Sequence, residues 1–256
     1  AQYAKIESEG DLYKIQDFSY PIIVKPVDRS GSLGVTKIAS KQGLKHAFEV
    51  ALSASIAKQV IIEEFIVGEE ISVESISISG RHYQLATTDK ITSGAPHFVE
   101  LEHHEPSLLS EVLLNEIGDL IPKALDALNI ENSAAHSELI IRNNGEIFIN
   151  EIGARMGGDF IGSHLVPLTT GYDYLKGVIE ICLGIADEPQ LTQNKAAGIV
   201  FYSSENELQT ENLNVDPSCI VEHEFTGEKT ENLTKSADRH GYLIYQSEKR
   251  IIFENK

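Results

Sequence analysis

Glu138 and Glu151 lie on either side of Asn144-Gly145, and the apolar runs Leu139-Ile140-Ile141 and Ile147-Phe148-Ile149 flank that dipeptide. Asn-Gly between β-type runs is the strongest short-range hairpin signal and favours a two-residue turn. With Asn144 and Gly145 as the turn, position 143 faces 146 and Glu138 faces Glu151, which brings their Cβ atoms about 4.5–5.5 Å apart. Like charges directly opposed in a sheet repel, so the pair makes sense around a divalent cation. Magnesium, which takes a few carboxylates together with water and phosphate oxygens, suits it. The competing reading puts both glutamates on a solvated face where they never approach. Ile140 and Ile149, on the same face in this register, argue against it. A three-residue turn would shift the register by one.

A second group surrounds Lys25. The run Ile22-Ile23-Val24-Lys25 ends a β-branched stretch in a lysine, and Pro26 leads into Asp28-Arg29-Ser30-Gly31-Ser32-Leu33-Gly34-Val35. Gly31 and Gly34 let backbone N–H groups turn toward one concavity, a nest that suits phosphate oxygens. The spacing is neither the P-loop pattern nor GxGxxG. Gly/Ser clusters are also common in plain turns, and an ordinary turn with a solvated lysine reads the same residues equally well.

These groups need elements to hold them. Residues 19–25 read as a strand feeding the glycine loop, and Ser40 caps a helix with apolar positions Leu44, Ala47, Phe48, Ala51 and Leu52. Val60–Ile66 and Glu70–Ser79 read as strands. From Pro106 to Asn129 the residues Leu109, Val112, Leu113, Ile117, Leu120, Ile121, Ala124 and Leu128 trace one helical face. Ala134–Arg142 and Glu146–Ile152 make the hairpin, and Tyr172–Leu183 a further amphipathic helix. Polar residues around Ala186–Asn194, with Pro189, read as a linker. Beyond it the runs Gly198–Tyr202, Gly241–Gln246 and Arg250–Phe253 are strand-like. The class is α+β, divided as a small lobe over 1–66, a large lobe with the metal site over 67–190, and a β-rich unit over 191–256.

Composition narrows the partners. Among 256 residues, 39 are Asp or Glu and 21 are Lys or Arg, for a net charge of −18, which repels nucleic acid and anionic membrane. No long apolar run or signal-peptide pattern occurs, so the sequence reads as soluble and cytoplasmic. Cys182 and Cys219 lack metal-ligand spacing and read as buried free thiols. The chain opens at Ala1 without an initiator Met, in what looks like a strand entry, and is expected to be a fragment or a processed chain.

Taken together these segments resemble the ATP-grasp superfamily over roughly residues 1 to 190. The resemblance implies two α+β lobes clasping ATP with Mg2+. Lys25 looks like the strand lysine on the α- and β-phosphates, and Ser30, Gly31, Ser32 and Gly34 look like the loop that closes over them. Ile62-Glu63-Glu64-Phe65-Ile66-Val67-Gly68-Glu69-Glu70 is similar to the inter-lobe hinge. It implies Glu63 and the backbone around Glu64, Phe65 and Ile66 at the adenine edge, Glu70 at the ribose, and Ile140 below the adenine. Glu138 and Glu151 match the two acidic magnesium ligands. Arg155 matches the arginine on the transferring phosphate or acyl phosphate. With Arg155 four residues past Glu151 and followed by Met156-Gly157-Gly158, the carboxylate substrate is placed against this turn; pairing of Arg155 with Asp159 is the bland alternative. His136-Ser-Glu138 with the run Glu151 to Asp159 most resembles the amino-acid-utilising carboxylate–amine ligases.

Two departures stand out. Gly153 occupies the place where the family commonly has Asn, and Lys25 is too near Ala1 for the family's earlier nucleotide lysine and leading α/β domain to precede it. The implied activity is an ATP-dependent ligase that turns a carboxylate into an acyl phosphate for attack by an amine. A non-catalytic nucleotide-binding module and an ATP-dependent carboxylase are the alternatives. Lys90 reads as a solvated lysine, with a reach to the γ-phosphate in a closed state as the alternative; His103 and His104 read as surface histidines of a polar loop over Glu100–Pro106, with a lining of the substrate entrance as the alternative, and Arg239 reads as structural. Small-molecule acid and amine are the expected partners, and the oligomeric state, a homo-oligomer included, stays open.

Overall fold

In a computed structural model, which describes residues 1–95, 97–203, 215–226 and 232–253, the strands fall into two antiparallel sheets. The first has the order β1 (Tyr3–Ile6), β4 (Val60–Glu64), β2 (Ile22–Pro26), β3 (Thr36–Ile38). Ile22 and Val24 of β2, with Val60 and Ile62 of β4, point to one side, where Ala47, Phe48 and Ala51 of helix α1 (Leu44–Ala54) cover them. The period of two therefore sends Lys25 and Glu63 to the opposite, uncovered face. A 3-10 turn at Lys41–Gly43 separates Ser40 from α1.

The second sheet has eight strands: β5 (Glu69–Ile78), β6 (Arg81–Thr92), β7 (Glu100–Glu105), β8 (Ser133–Ile141), β9 (Ile147–Gly153), β10 (Ala196–Tyr202), β11 (Ile220–Phe225) and β12 (Gly241–Ser247). Their order is β11-β12-β10-β7-β6-β5-β8-β9. The strands expected as a separate terminal unit are thus the outer strands of the same sheet, joined through the β10–β7 pairing of Ile199 with His103. The Arg250–Phe253 run is not a strand; its Ile251 and Phe253 pack against Tyr202, Leu243 and Tyr245 without joining the ladder.

Helix α2 (Glu111–Ala127) begins at Ser110, whose hydroxyl accepts the Leu113 N–H at 3.4 Å. Its buried stripe Ile117, Ile121 and Leu125 packs on Ile71, Val73, Leu139 and Ile141. Burial of each such side chain stabilises by about 1.5–3 kcal/mol. The alternate residues Glu70, Ser72, Glu74, His136, Glu138 and Ile140 consequently face the other way. Past Glu74 that second face is closed by helices α3 (Val166–Thr170) and α4 (Tyr174–Leu183), with Tyr174 packed on Ile76 and Ala134. No helix among the described residues is long and apolar enough to cross a membrane. Cys182 is exposed and Cys219 partly exposed, not buried as expected: Cys182 lies among the outward residues of α4 rather than its packed stripe.

The β8–β9 hairpin departs from the two-residue turn. Arg142 N–H donates to Glu146 O at 2.9 Å and Gly145 N–H to Arg142 O at 2.8 Å, so three residues make the loop, with Gly145 at φ 86°. That shifts the first pairs to Ile141–Ile147, Ile140–Phe148 and Leu139–Ile149. A bulge at Asn150 then restores the opposition of Glu138 and Glu151. Ile149 therefore stands opposite Leu139, away from the face of Ile140, and is 40% exposed. The glutamate pair arises as expected, by a route that the argument from Ile149 did not contain.

Candidate functional site

The polar face of the large sheet carries a line of alternating charge. Lys90 Nζ on β6 lies 2.6 Å from Glu138 Oε1 on β8 and 3.1 Å from Glu100 on β7. The same Glu138 oxygen accepts from His136 Nε2 at 3.2 Å, and His136 Nδ1 bonds the fully buried Glu74 on β5. Both ring nitrogens of His136 face carboxylates, so both are donors and the ring is an imidazolium. Burial pulls its pKa down, but the bonds to Glu138 and Glu74 prevail and hold it at about 9. For Glu138 burial acts upward, and His136 and Lys90 outweigh it, leaving the carboxyl well below its usual range. Burial would lower Lys90; Glu138 and Glu100 raise it instead.

Beside this line, Glu151 faces Glu138 across the bulged register. Among the described residues Glu138 Oε2 and the Glu151 carboxylate have no protein donor. Two adjacent carboxylates with open oxygens form a hard donor set, which fits a magnesium ion. Glu70 sits in the next row, paired with Ile140 on one side and Lys90 on the other. Burial raises its pKa first, Lys90 offsets part of this, and the charges of Glu138 and Glu100 add to it.

The segment following the four-stranded sheet meets the β6–β7 connection, where the Phe65 and Phe98 rings lie 5.9 Å apart. Lys25 Nζ lies 2.6 Å from Glu63 Oε2, both side chains about four-fifths buried. The following loop has Gly31 at φ 63°, Ser32 at 58° and Gly34 at 80°, and a Cβ on Gly34 would come within 2.8 Å of Ala54 Cβ. Ser32 Oγ reaches Phe98 O on the β6–β7 connection at 3.4 Å. At the hinge, the Glu64 N–H donates to Gln2 O and the Phe65 N–H to Pro21 O, while Lys37 Nζ sits 3.6 Å above the Phe65 ring. Ile66 is buried. Gly68 is pressed on β8, where an added Cβ would lie 2.3 Å from Ile141 O.

Arg155 is exposed just past β9, its Nη1 donating to Met156 O at 2.8 Å. It pairs with no carboxylate among the described residues. Asp159 instead holds Arg239 in a two-point bond of 2.7 and 2.9 Å, and Arg239 lies 3.7 Å over the Phe201 ring. Burial pushes the Asp159 carboxyl up, but the neighbouring His103 and the two bonds from Arg239 outweigh it and carry the pKa far down. His103 is fully buried on β7 with neither ring nitrogen hydrogen-bonded; Asp159 is 3.8 Å away, and burial pushes the ring's pKa down. Glu100, His103 and Asp159 offer ligand atoms within 4.8 Å of one another, but Lys90 and Arg239 already neutralise the two acids.

Three expectations are corrected here. Lys90 is buried, not solvated, because the adjacent strands supply two carboxylates. His103 and His104 are not on a surface loop: Glu100–Glu105 is strand β7, and His104 bonds Tyr245 at 2.9 Å and Glu102 at 2.7 Å inside the sheet. Glu74, His136 and Glu100 were not read as site residues. The available signal is polar residues at every second position, Glu70-Ser72-Glu74 and His136-Glu138, in strands whose other face carries the apolar Ile71, Val73, Ala135, Leu139 and Ile141.

Residues 18–163 match the family described as the ATP-grasp domain. The alanine–anticapsin ligase of Bacillus subtilis is 30% identical over 175 residues, 60% of this chain and 36% of that protein. The D-alanine–D-alanine ligase of Acetivibrio thermocellus is 32% identical over 158 residues, 58% of this chain and 41% of that one. An L-amino acid ligase from Bacillus licheniformis superposes with a TM-score of 0.74 at 21% identity, covering 96% of this chain and 64% of that structure. The chain thus spans well under half the length of these two curated relatives.

Proposed function

Since the chain belongs to the ATP-grasp family, we propose that its inter-lobe face binds ATP with magnesium and activates the carboxylate of an amino acid or similar small acid as an acyl phosphate for attack by an amine. The observation that carries this reading is the Glu138–Glu151 pair with open oxygens beside the buried Lys90. Magnesium at the pair supplies charge neutralisation for the phosphates. The remaining work belongs to the chain, and phosphoryl transfer asks for positioning and charge more than covalent help.

Lys25 exchanges its Glu63 partner for α- and β-phosphate oxygens, and the N–H groups of Ser30, Gly31, Ser32 and Gly34 close over the phosphates. Glu63, with the backbone of Glu64, Phe65 and Ile66, borders the adenine. Ile140 lies beneath it and Glu70 meets the ribose. Arg155, free of carboxylates, offers its planar fork to the transferring phosphate or the acid substrate. The names of the relatives, which join amino acids, support an amino-acid substrate.

Phosphate release from ATP is the direct test. Release that requires pairs of amino acids supports the ligase, release that requires bicarbonate supports a carboxylase, and tight ATP binding with no release under any pairing points to a nucleotide-binding module.

A further inference from the structure

The carboxylate of Glu74 is fully buried and divided between two partners. Oε1 takes His136 Nδ1–H, and Oε2 takes the backbone N–H of Gly157 at 2.9 Å. The His136 ring continues to Glu138 Oε1 at 3.2 Å, while Gly157 follows Arg155 by two residues. One acid therefore touches both the ring that orients Glu138 and the loop that carries Arg155. The contact is tight: a Cβ on Gly157 would come within 2.5 Å of Glu74 Oε1 and 2.9 Å of His136 Nδ1. Behind Glu74, Tyr174 donates its hydroxyl to Ser75 O at 2.7 Å, beside the register shift at which Leu85 of β6 is left unpaired.

We propose that Glu74 is a positioning residue, which through His136 and the Gly157 N–H sets the Arg155 loop in place relative to the Glu138–Glu151 pair. The inference rests on the ATP-grasp reading of the site, since it takes those two glutamates as cation ligands. A carboxylate bound to a cation through one oxygen is free to rotate. The His136 ring on Glu138 Oε1, 3.2 Å away, removes that freedom and leaves Oε2 open. The second bond of Glu74 ties the same frame to the arginine loop, so cation and arginine cannot shift independently. Partners of this kind orient ligands without touching the ion, and displacements of about 1 Å in such frames are costly to transfer chemistry.

The test uses Mn2+ as the probe, with its binding to this chain in the presence of ADP followed by paramagnetic resonance, and adenosine affinity and thermal unfolding measured alongside. If the unaltered chain fails to bind Mn2+ with ADP, the functional reading itself falls. If it binds, Gly157→Ala and Glu74→Gln are each expected to weaken Mn2+ by about 10- to 100-fold with adenosine affinity within about twofold. Gly157→Ala keeps the Glu74 carboxylate and crowds its contact with the loop and with His136, so it decides the matter where Glu74→Gln does not fold. Folded variants that bind Mn2+ as tightly as the unaltered chain, whatever their melting temperature, would overturn the proposal and leave Glu74 as a buried counter-charge.

Discussion

Glu63 Oε2 lies 2.6 Å from Lys25 Nζ on the uncovered face of the small sheet, so the lysine proposed to hold phosphates already has an anionic partner. Nucleotide binding is then an exchange of one anion for another. Lys25→Met is expected to weaken ATP with magnesium by roughly 10- to 100-fold, the range of one or two charge-assisted bonds, and to leave adenosine nearly unaffected. Titration calorimetry with both ligands checks it; equal loss for adenosine would remove Lys25 from the phosphates.

Glu151 is exposed and has no protein donor among the described residues, which makes its removal structurally mild. Glu151→Gln should weaken ATP with magnesium by tenfold or more, change adenosine affinity little and move the melting temperature by only a degree or two. Unchanged magnesium-ATP affinity would place the cation elsewhere.

Lys90 has the opposite character, buried between Glu138 and Glu100. Taking one partner from a buried ion pair costs about 3–5 kcal/mol, because the remaining charges stay uncompensated. Lys90→Met is expected to lose stability on that scale in urea unfolding, even with no ligand present.

Arg155→Lys keeps the charge but loses the fork. Phosphate release should fall while nucleotide affinity and thermal stability hold, given that Arg155 bonds only Met156 O. A drop in stability with unchanged release would make it a structural residue.

Glu105 supplies a pH dependence. Burial pushes its carboxyl from 4.5 up to about 8, against the hydroxyls of Thr169 and Thr88. Because the folded pKa is the higher one, its contribution is whole below about pH 4.5 and is lost progressively as pH rises through about 8. Stability should fall by a few kcal/mol across that window, and Glu105→Gln should flatten this part of the profile. Urea midpoints at three pH values measure it; an unchanged slope in the variant would assign the dependence to other groups.

Much of this arrangement was legible in the sequence, and what was hidden has a common cause. Local signals placed β2, α1, α2 and the hairpin, since the spacing of Ile117, Ile121 and Leu125, or Asn144-Gly145 between apolar runs, is written within a few residues. Lys90, His103 and His104 were misread because their burial comes from strands far away in sequence: His103 pairs with Ile199, and Lys90 meets Glu138. A polar side chain in isolation reads as solvated. Only the sheet order reveals the partners that let it be buried.

The hairpin's two irregularities act like a frameshift and its suppressor. The extra residue in the turn moves β9 out of phase, and Asn150 moves it back before Glu151 is reached. The two are separable by length: as long as Arg142 and Glu146 stay paired, a homologous chain one residue shorter within 143–145, or one lacking Asn150, still opposes its two glutamates. In comparing such chains, a single gap at either position therefore leaves the acidic pair intact, because the pairs from Ile141–Ile147 to Leu139–Ile149 are unchanged and Glu138 meets Glu151 next.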